Sequence, residues 1–281
     1  MINKRLTNIQ KTMDYWLRNT FANAGGYNTV TSGLTGWFQN IKYDRFTLSH
    51  DPSYPEGTVW ESYYDNFVFD QDVSAPSGYT DLIICSGVYV DNVFIPNGSG
   101  VHVDYLNGRV IFDTPQSVTA SVVGEFSYNT VAVYNVANDR RLFSDVFNRP
   151  ETIPSGTLSK MPIVFYELYR AGTIGGYQLG GGKNVEYWFN VYVIADNLVD
   201  RDNVLETLKE KEEIRLKIID FDSAPEIFDE YGSIANDFHF SNWQDNYSCG
   251  QCWVRRIVYN SVDLDYYEGG LAQITLRFYN V

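Results

Sequence analysis

The sequence predicts an α+β fold, and three observations predict it. A helical apolar stripe occupies the first two dozen residues, short alternating runs fill the middle, and the last third reads strand, glycine-rich loop, strand, helix, strand. With 281 residues, 44% apolar and 16% aromatic, the chain can bury a substantial core, as one large domain or two ordinary ones.

Leu6, Ile9, Met13, Trp16, Leu17 and Phe21 recur at helical spacing, and Gly25-Gly26 supplies residues suited to a helix C-terminus. This predicts an amphipathic helix over residues 1–24, with Met13 and Trp16 as core residues. Residues 27–136 then turn to short alternating runs punctuated by Gly, Pro, Asp and Asn, as in an antiparallel sandwich or barrel. The clearest unit is residues 101–112, where Asn107-Gly108 predicts a type I′ hairpin turn with φ > 0 at both central positions. A further strand is expected over 118–128, with Val118, Ala120, Val122, Phe126 and Tyr128 on one face.

Residues 137–159 carry Arg149-Pro150 and Pro154-Ser155-Gly156 and read as a connection, so a boundary is placed near Arg149. The expected organisation is a helix at 1–24 that packs with the C-terminal module, a β-rich insertion at 25–149, and an α+β domain at 150–281.

In the last third, residues 162–169 form a Pro-led strand interrupted at Ala171-Gly172. Gly175-Gly176 and Gly180-Gly181-Gly182 then supply the φ > 0 positions of a long connection. Over 185–195, Val185, Tyr187, Phe189, Val191 and Val193 share one face, and Glu186, Trp188, Asn190, Tyr192 and Ile194 the other; both faces carry aromatics, so both are expected to be covered. Asp200 or Asp202 is the expected cap of a helix bearing Val204, Leu205 and Leu208. Residues 271–281 close the chain as a strand with Ala272, Ile274, Leu276 and Phe278 on one face, available as an edge for pairing across subunits.

The order of these elements, with the first helix, the Pro-led strand, the helix opening on Arg201-Asp202 and the last strand ending in Leu276-Arg277-Phe278-Tyr279, resembles the tail terminator family of tailed bacteriophages over roughly residues 1–24 and 155–281. The resemblance implies a mixed sheet with flanking helices and no catalytic residues or cofactor. It also implies a ring, usually hexameric, that caps the tail tube, ends its growth and joins the tail to a head completion or neck protein. Such a protein belongs to the virion, is assembled in the host cytoplasm, and lets DNA pass without specific binding. The middle segment is larger than a compact terminator needs. The hairpin at 101–112 also resembles hairpins of phage adaptors and fibres.

Gly172 to Lys183 is the expected projecting element at a ring-to-ring or subunit contact, through Gly175, Gly176, Tyr177, Leu179 and Lys183, with a mobile exposed loop as the competing reading. The net charge of −14 and the lack of a Lys/Arg cluster disfavour a nucleic-acid groove, and an acidic lining would instead let DNA slide. Residues 1–5 carry charge with no apolar run behind them, so no signal peptide is expected, and no stretch approaches the ~20 apolar residues of a membrane span.

Other patterns point to chemistry less well. Gly182-Lys183 lacks the Ser or Thr and the following helix of a phosphate-binding loop. Cys249 and Cys252 have redox-pair spacing but sit in a strand-like run; a metal site would have to recruit His239 and Cys85. Asp70/Asp72, Asp220/Asp222 and Asp263/Asp265 are carboxylate pairs open to calcium or glycoside chemistry, or are solvated loop residues. The histidines are isolated in sequence, and no catalytic motif is present, so no enzyme is expected. Two rival readings stay open: another neck, connector or baseplate protein, and a carbohydrate-binding module using Trp37, Trp60, Tyr63, Tyr64 and Tyr79.

Overall fold

The computed structural model describes residues 2–23, 41–75, 82–148, 161–176, 183–264 and 267–279. It is α+β and divides into two compact units. The first holds Met1–Phe21, Val131–Ala224 and Ser241–Val281; the second holds Ala22–Thr130 and Pro225–Phe240. The divide falls between Thr130 and Val131 and not near Arg149, because the strand that follows Thr130 already pairs into the first unit's sheet.

The second unit is antiparallel and sandwich-like. One sheet has the order β1-β8-β4-β5, from β1 (Ile41–Thr47), β4 (Gly87–Val90), β5 (Val93–Pro96) and β8 (Val122–Asn129). The other has the order β2-β3-β7-β6, from β2 (Ser49–His50), β3 (Val59–Glu61), β6 (Val101–Asp104) and β7 (Arg109–Phe112). Alternation sends Val101, Val103, Val110, Phe112, Val122 and Phe126 into the core. Phe67 packs on Phe126 at 4.0 Å between ring centroids, and the Tyr105 hydroxyl donates to the Cys85 carbonyl at 2.5 Å.

The β6–β7 hairpin forms as expected, but its turn differs. Asp104 pairs with Arg109, leaving a four-residue connection in which Gly108 has φ +61 and Asn107 does not enter the positive region. The two-residue turn with both φ positive lies instead at Asp91-Asn92 (φ 47 and 66), between Val90 and Val93. An Asx-type network replaces the I′ geometry at Asn107: the Asp104 carboxylate accepts from the Leu106 and Asn107 amides at 3.1 and 3.2 Å, from the Asn107 side chain at 2.7 Å and from Arg109 Nε at 2.8 Å. Gly232, at φ +83, lies close against this carboxylate; a Cβ there would stand 2.4 Å from Asp104 Oδ1. The Tyr105 amide donates to the Gly232 carbonyl at 3.1 Å, which ties Pro225–Phe240 to this unit.

The first unit is built on a six-stranded sheet of order β12-β13-β14-β11-β10-β9. Its strands are β9 (Ala132–Asn135), β10 (Ile163–Gly176), β11 (Lys183–Ala195), β12 (Arg215–Ile219), β13 (Ser248–Asp263) and β14 (Glu268–Tyr279). All neighbours are antiparallel except β9 and β10. Because β14 lies between β11 and β13, it is not the edge expected for pairing with another subunit.

The helices among the described residues are α1 (Ile2–Asn23), α2 (Arg140–Asn148), α3 (Leu198–Lys209) and the short α4 (Phe240–Asn246). α1 buries Ile9, Met13, Trp16, Leu17 and Phe21, as its spacing predicts. Its Thr12 hydroxyl accepts the Ile219 amide at 3.1 Å, and Arg18 donates to the Val133 carbonyl at 2.8 Å while pairing with Asp14 at 3.0 Å. α3 lies on the sheet face that carries Val191, Val193, Ala272 and Ile274, with Leu205 against Gly270. Its cap is Asn197 and neither aspartate: the Asn197 side chain accepts the Asp200 amide at 3.0 Å, and Asp200 accepts in return at 2.8 Å. α2 covers the base of the opposite face, where Phe143, Val146 and Phe147 pack on Ile163, Phe165 and Ile194.

Candidate functional surface: the long hairpin and its open face

β10 does not end at Ala171-Gly172. Register shifts between Leu168 and Arg170 and between Ala171 and Thr173 absorb the irregularity, with Gly172 at φ +62, and pairing with β11 continues to Gly176 opposite Lys183. The strand has 14 residues, a span of about 45 Å at ~3.3 Å each. β9 pairs only with Ile163 to Tyr166, so residues 167–176 have no outer strand partner among the described residues. Of the expected contact residues, Gly175 and Gly176 end β10 and Lys183 opens β11; Tyr177 and Leu179 lie outside the described residues.

Opposing residues on the face away from α1 and α3 form rungs across the sheet. The lowest polar rung runs Glu167, Asn190, Gln273, Val258. Here Tyr192 OH donates to Glu167 at 2.7 Å, and Gln273 donates to the Asn190 side-chain oxygen at 3.2 Å. Burial first, then this bond to Glu167, pushes the Tyr192 hydroxyl up to about 12. The next rung is Arg170, Trp188, Thr275, Arg256; the one beyond is Glu186, Arg277, Trp253, Arg215. Arg170 lies 5.4 Å over the Trp188 ring, and Arg277 pairs with Glu186.

This half of the face is open on the strands around β11, whereas the residues of 185–195 itself are half-buried or buried on both faces; α2 reaches only the base. Arg170, Arg256 and Arg215 are exposed and Trp253 is 41% exposed. A chain of net charge −14 thus presents, over two rungs, four arginines against one glutamate. Sequence reading missed this cluster because its members are far apart in the chain; only the register gathers them.

Beyond the end of β9 a cleft of about 520 Å³ opens, lined by Gln10, Asn135, Arg140, Phe143, Ser144 and Glu167 among others. Other sites named from sequence are put to structural use. The Asp70 carboxylate accepts the Asp72 and Phe240 amides at 3.0 and 3.2 Å, and Asp72 meets His239 at 3.2 Å. Asp220 accepts from Asn8 and from the Asp222 amide. Asp263 stands at the end of β13, and Asp265 lies outside the described residues. His102 stacks on Tyr231 at 3.9 Å, and His50 lies edge-on to Trp60, so the histidines are separated in space as in sequence. Among the described residues no three His, Cys, Asp or Glu side chains gather into a metal site. No helix there is long and apolar enough to cross a membrane.

Cys249 and Cys252 stand three apart on β13, which sends their side chains to opposite faces; Cys249 is exposed and Cys252 buried. Burial pushes the Cys252 thiol up, and the buried Cys85 thiol up to about 12. One thiol is therefore expected to react with Ellman's reagent in the native protein at pH 8 and three after denaturation. Two fast native thiols would contradict the burial of Cys252.

The aromatic set proposed as a sugar platform does not assemble at Trp60, which is 3% exposed with its indole N–H donating to the Gly57 carbonyl at 3.2 Å. Tyr64 stacks on Tyr128 at 4.0 Å, and Tyr63 stands at 84° to Tyr64; Trp37 and Tyr79 lie outside the described residues. No protein-family model matches the chain, and neither does any curated protein.

Proposed function

We propose that this chain is a structural protein of a tailed-phage virion that forms a ring capping the tail tube, ends tube growth and joins the tail to the head or neck. The reading is carried by the order of α1, β10, β11, α3 and β14 around one sheet, with a hairpin whose pairing continues ten residues past β9, to Gly176 opposite Lys183. Its work is done by surfaces. One ring face matches the last ring of the tube, the opposite face takes the head completion or neck protein, and growth stops because the second face does not accept another tube ring. DNA passes through the ring without specific binding. A neck, connector or baseplate role would use the same surfaces at another position in the particle.

Electron microscopy of the purified protein, alone and mixed with tail tubes, tests this. Density closing one tube end, or free rings with a channel of DNA width, is expected. A monomer that ignores tubes at every ratio would sink the proposal.

A further inference from the structure

The sheet of the first unit has chemically opposite sides. On the open face, Arg170, Arg256 and Arg215 make no ion pair among the described residues and flank Trp188 and Trp253. On the other side, α3 buries Val204, Leu205 and Leu208 and turns Asp202, Glu206 and Glu210 outward, four residues apart and all exposed. Arg201 neutralises Asp202, whereas Glu206 and Glu210 make no ion pair among the described residues. Beside them Leu198 and Val199 are 51% and 50% exposed.

We infer that the arginine–tryptophan face of one copy docks the outer face of α3 of the next, head to tail. The charges are complementary, and the exposed Leu198 and Val199 offer apolar contact for the two tryptophans. Arg and Trp are the residue types that most often anchor protein interfaces. The dimensions agree: Asp202 to Glu210 covers about 12 Å at 1.5 Å per residue, and Arg170 to Arg256 spans three strand spacings, about 14 Å. Because two different surfaces of the chain meet, the contact is heterologous and repeats, closing into a ring when the rotation permits. This deepens the ring reading and rests on it for the closure, although the pairing itself stands on the two patches.

The test uses two full-length variants, Arg170→Glu/Arg256→Glu and Glu206→Arg/Glu210→Arg, examined by light scattering alone and on tail tubes. Each variant alone should self-associate at least about tenfold more weakly than the unaltered chain, with circular dichroism and melting temperature unchanged. Mixed one to one, they should recover association, since each altered patch then meets an altered partner and each native patch a native one. Variants that associate or cap tubes like the unaltered chain overturn the inference and leave the ring standing. Association that obeys the swap without capping tubes supports the interface and removes the terminator role. An unaltered chain that stays monomeric both alone and on tubes overturns both. Retention of duplex DNA, abolished by Arg170→Glu/Arg256→Glu without any self-association, overturns it in favour of a nucleic-acid face.

Discussion

Asp104→Ala is expected to destabilise the β-rich unit by about 3–5 kcal/mol, the range for removing one member of a buried charged pair. The carboxylate is nearly inaccessible and organises the whole β6–β7 connection, through two backbone amides, the Asn107 side chain and Arg109. Its loss leaves the Arg109 guanidinium, 21% exposed, donating to the Tyr54 hydroxyl as its side-chain partner among the described residues. Adding Arg109→Met should restore part of the lost stability, because the orphaned charge then disappears. Urea unfolding together with hydrogen exchange at the Leu106 and Asn107 amides reads the effect. A loss under about 1 kcal/mol, the size of an ordinary hydrogen bond, would mean that the network does not hold the turn.

Phe165→Ala should cost the other unit about 3–5 kcal/mol, as large-to-small changes of buried aromatic residues do. Phe165 is fully buried, 5.2 Å from Phe143 and 5.6 Å from Tyr134 between ring centroids, in the cluster that seats α2 on the sheet. The cavity would open directly under the helix. Amides of α2 should therefore lose exchange protection before those of β13 and β14. Equal protection of α2 in both proteins would contradict this packing.

The period of the side chains carried most of what could be read in the sequence. The stripe of α1, the alternation of residues 185–195 and the Val204-Leu205-Leu208 face all follow from local spacing, and each is where that spacing puts it. α2 was legible too, from Leu142, Phe143, Val146 and Phe147, but Arg149-Pro150 and the nearby Gly and Pro residues read as a connection. Asn107-Gly108 is the strongest local signal for a type I′ turn. Asp104 overrode it by offering the backbone an alternative set of acceptors, and the I′ geometry went to Asp91-Asn92. Nothing local marks Pro225–Phe240 as part of the β-rich unit, since its bonds reach back to Asp70, Val103 and Tyr105. The open arginine face is a product of register, and single-sequence pattern has no access to register across 80 residues.

The chain passes between its two units four times, at 21/22, 130/131, 224/225 and 240/241. A ribosome delivers the chain from the N-terminus, and domains ordinarily fold in that order as they emerge. Here that sequence of events is barred: the β-rich unit lacks Gly232 and its neighbours until residue 240 is out, and the other unit lacks β13 and β14 until nearly everything is. The β-rich unit is complete only at residue 240 and the other only at β14, so the two are expected to fold close together in time and not one after the other.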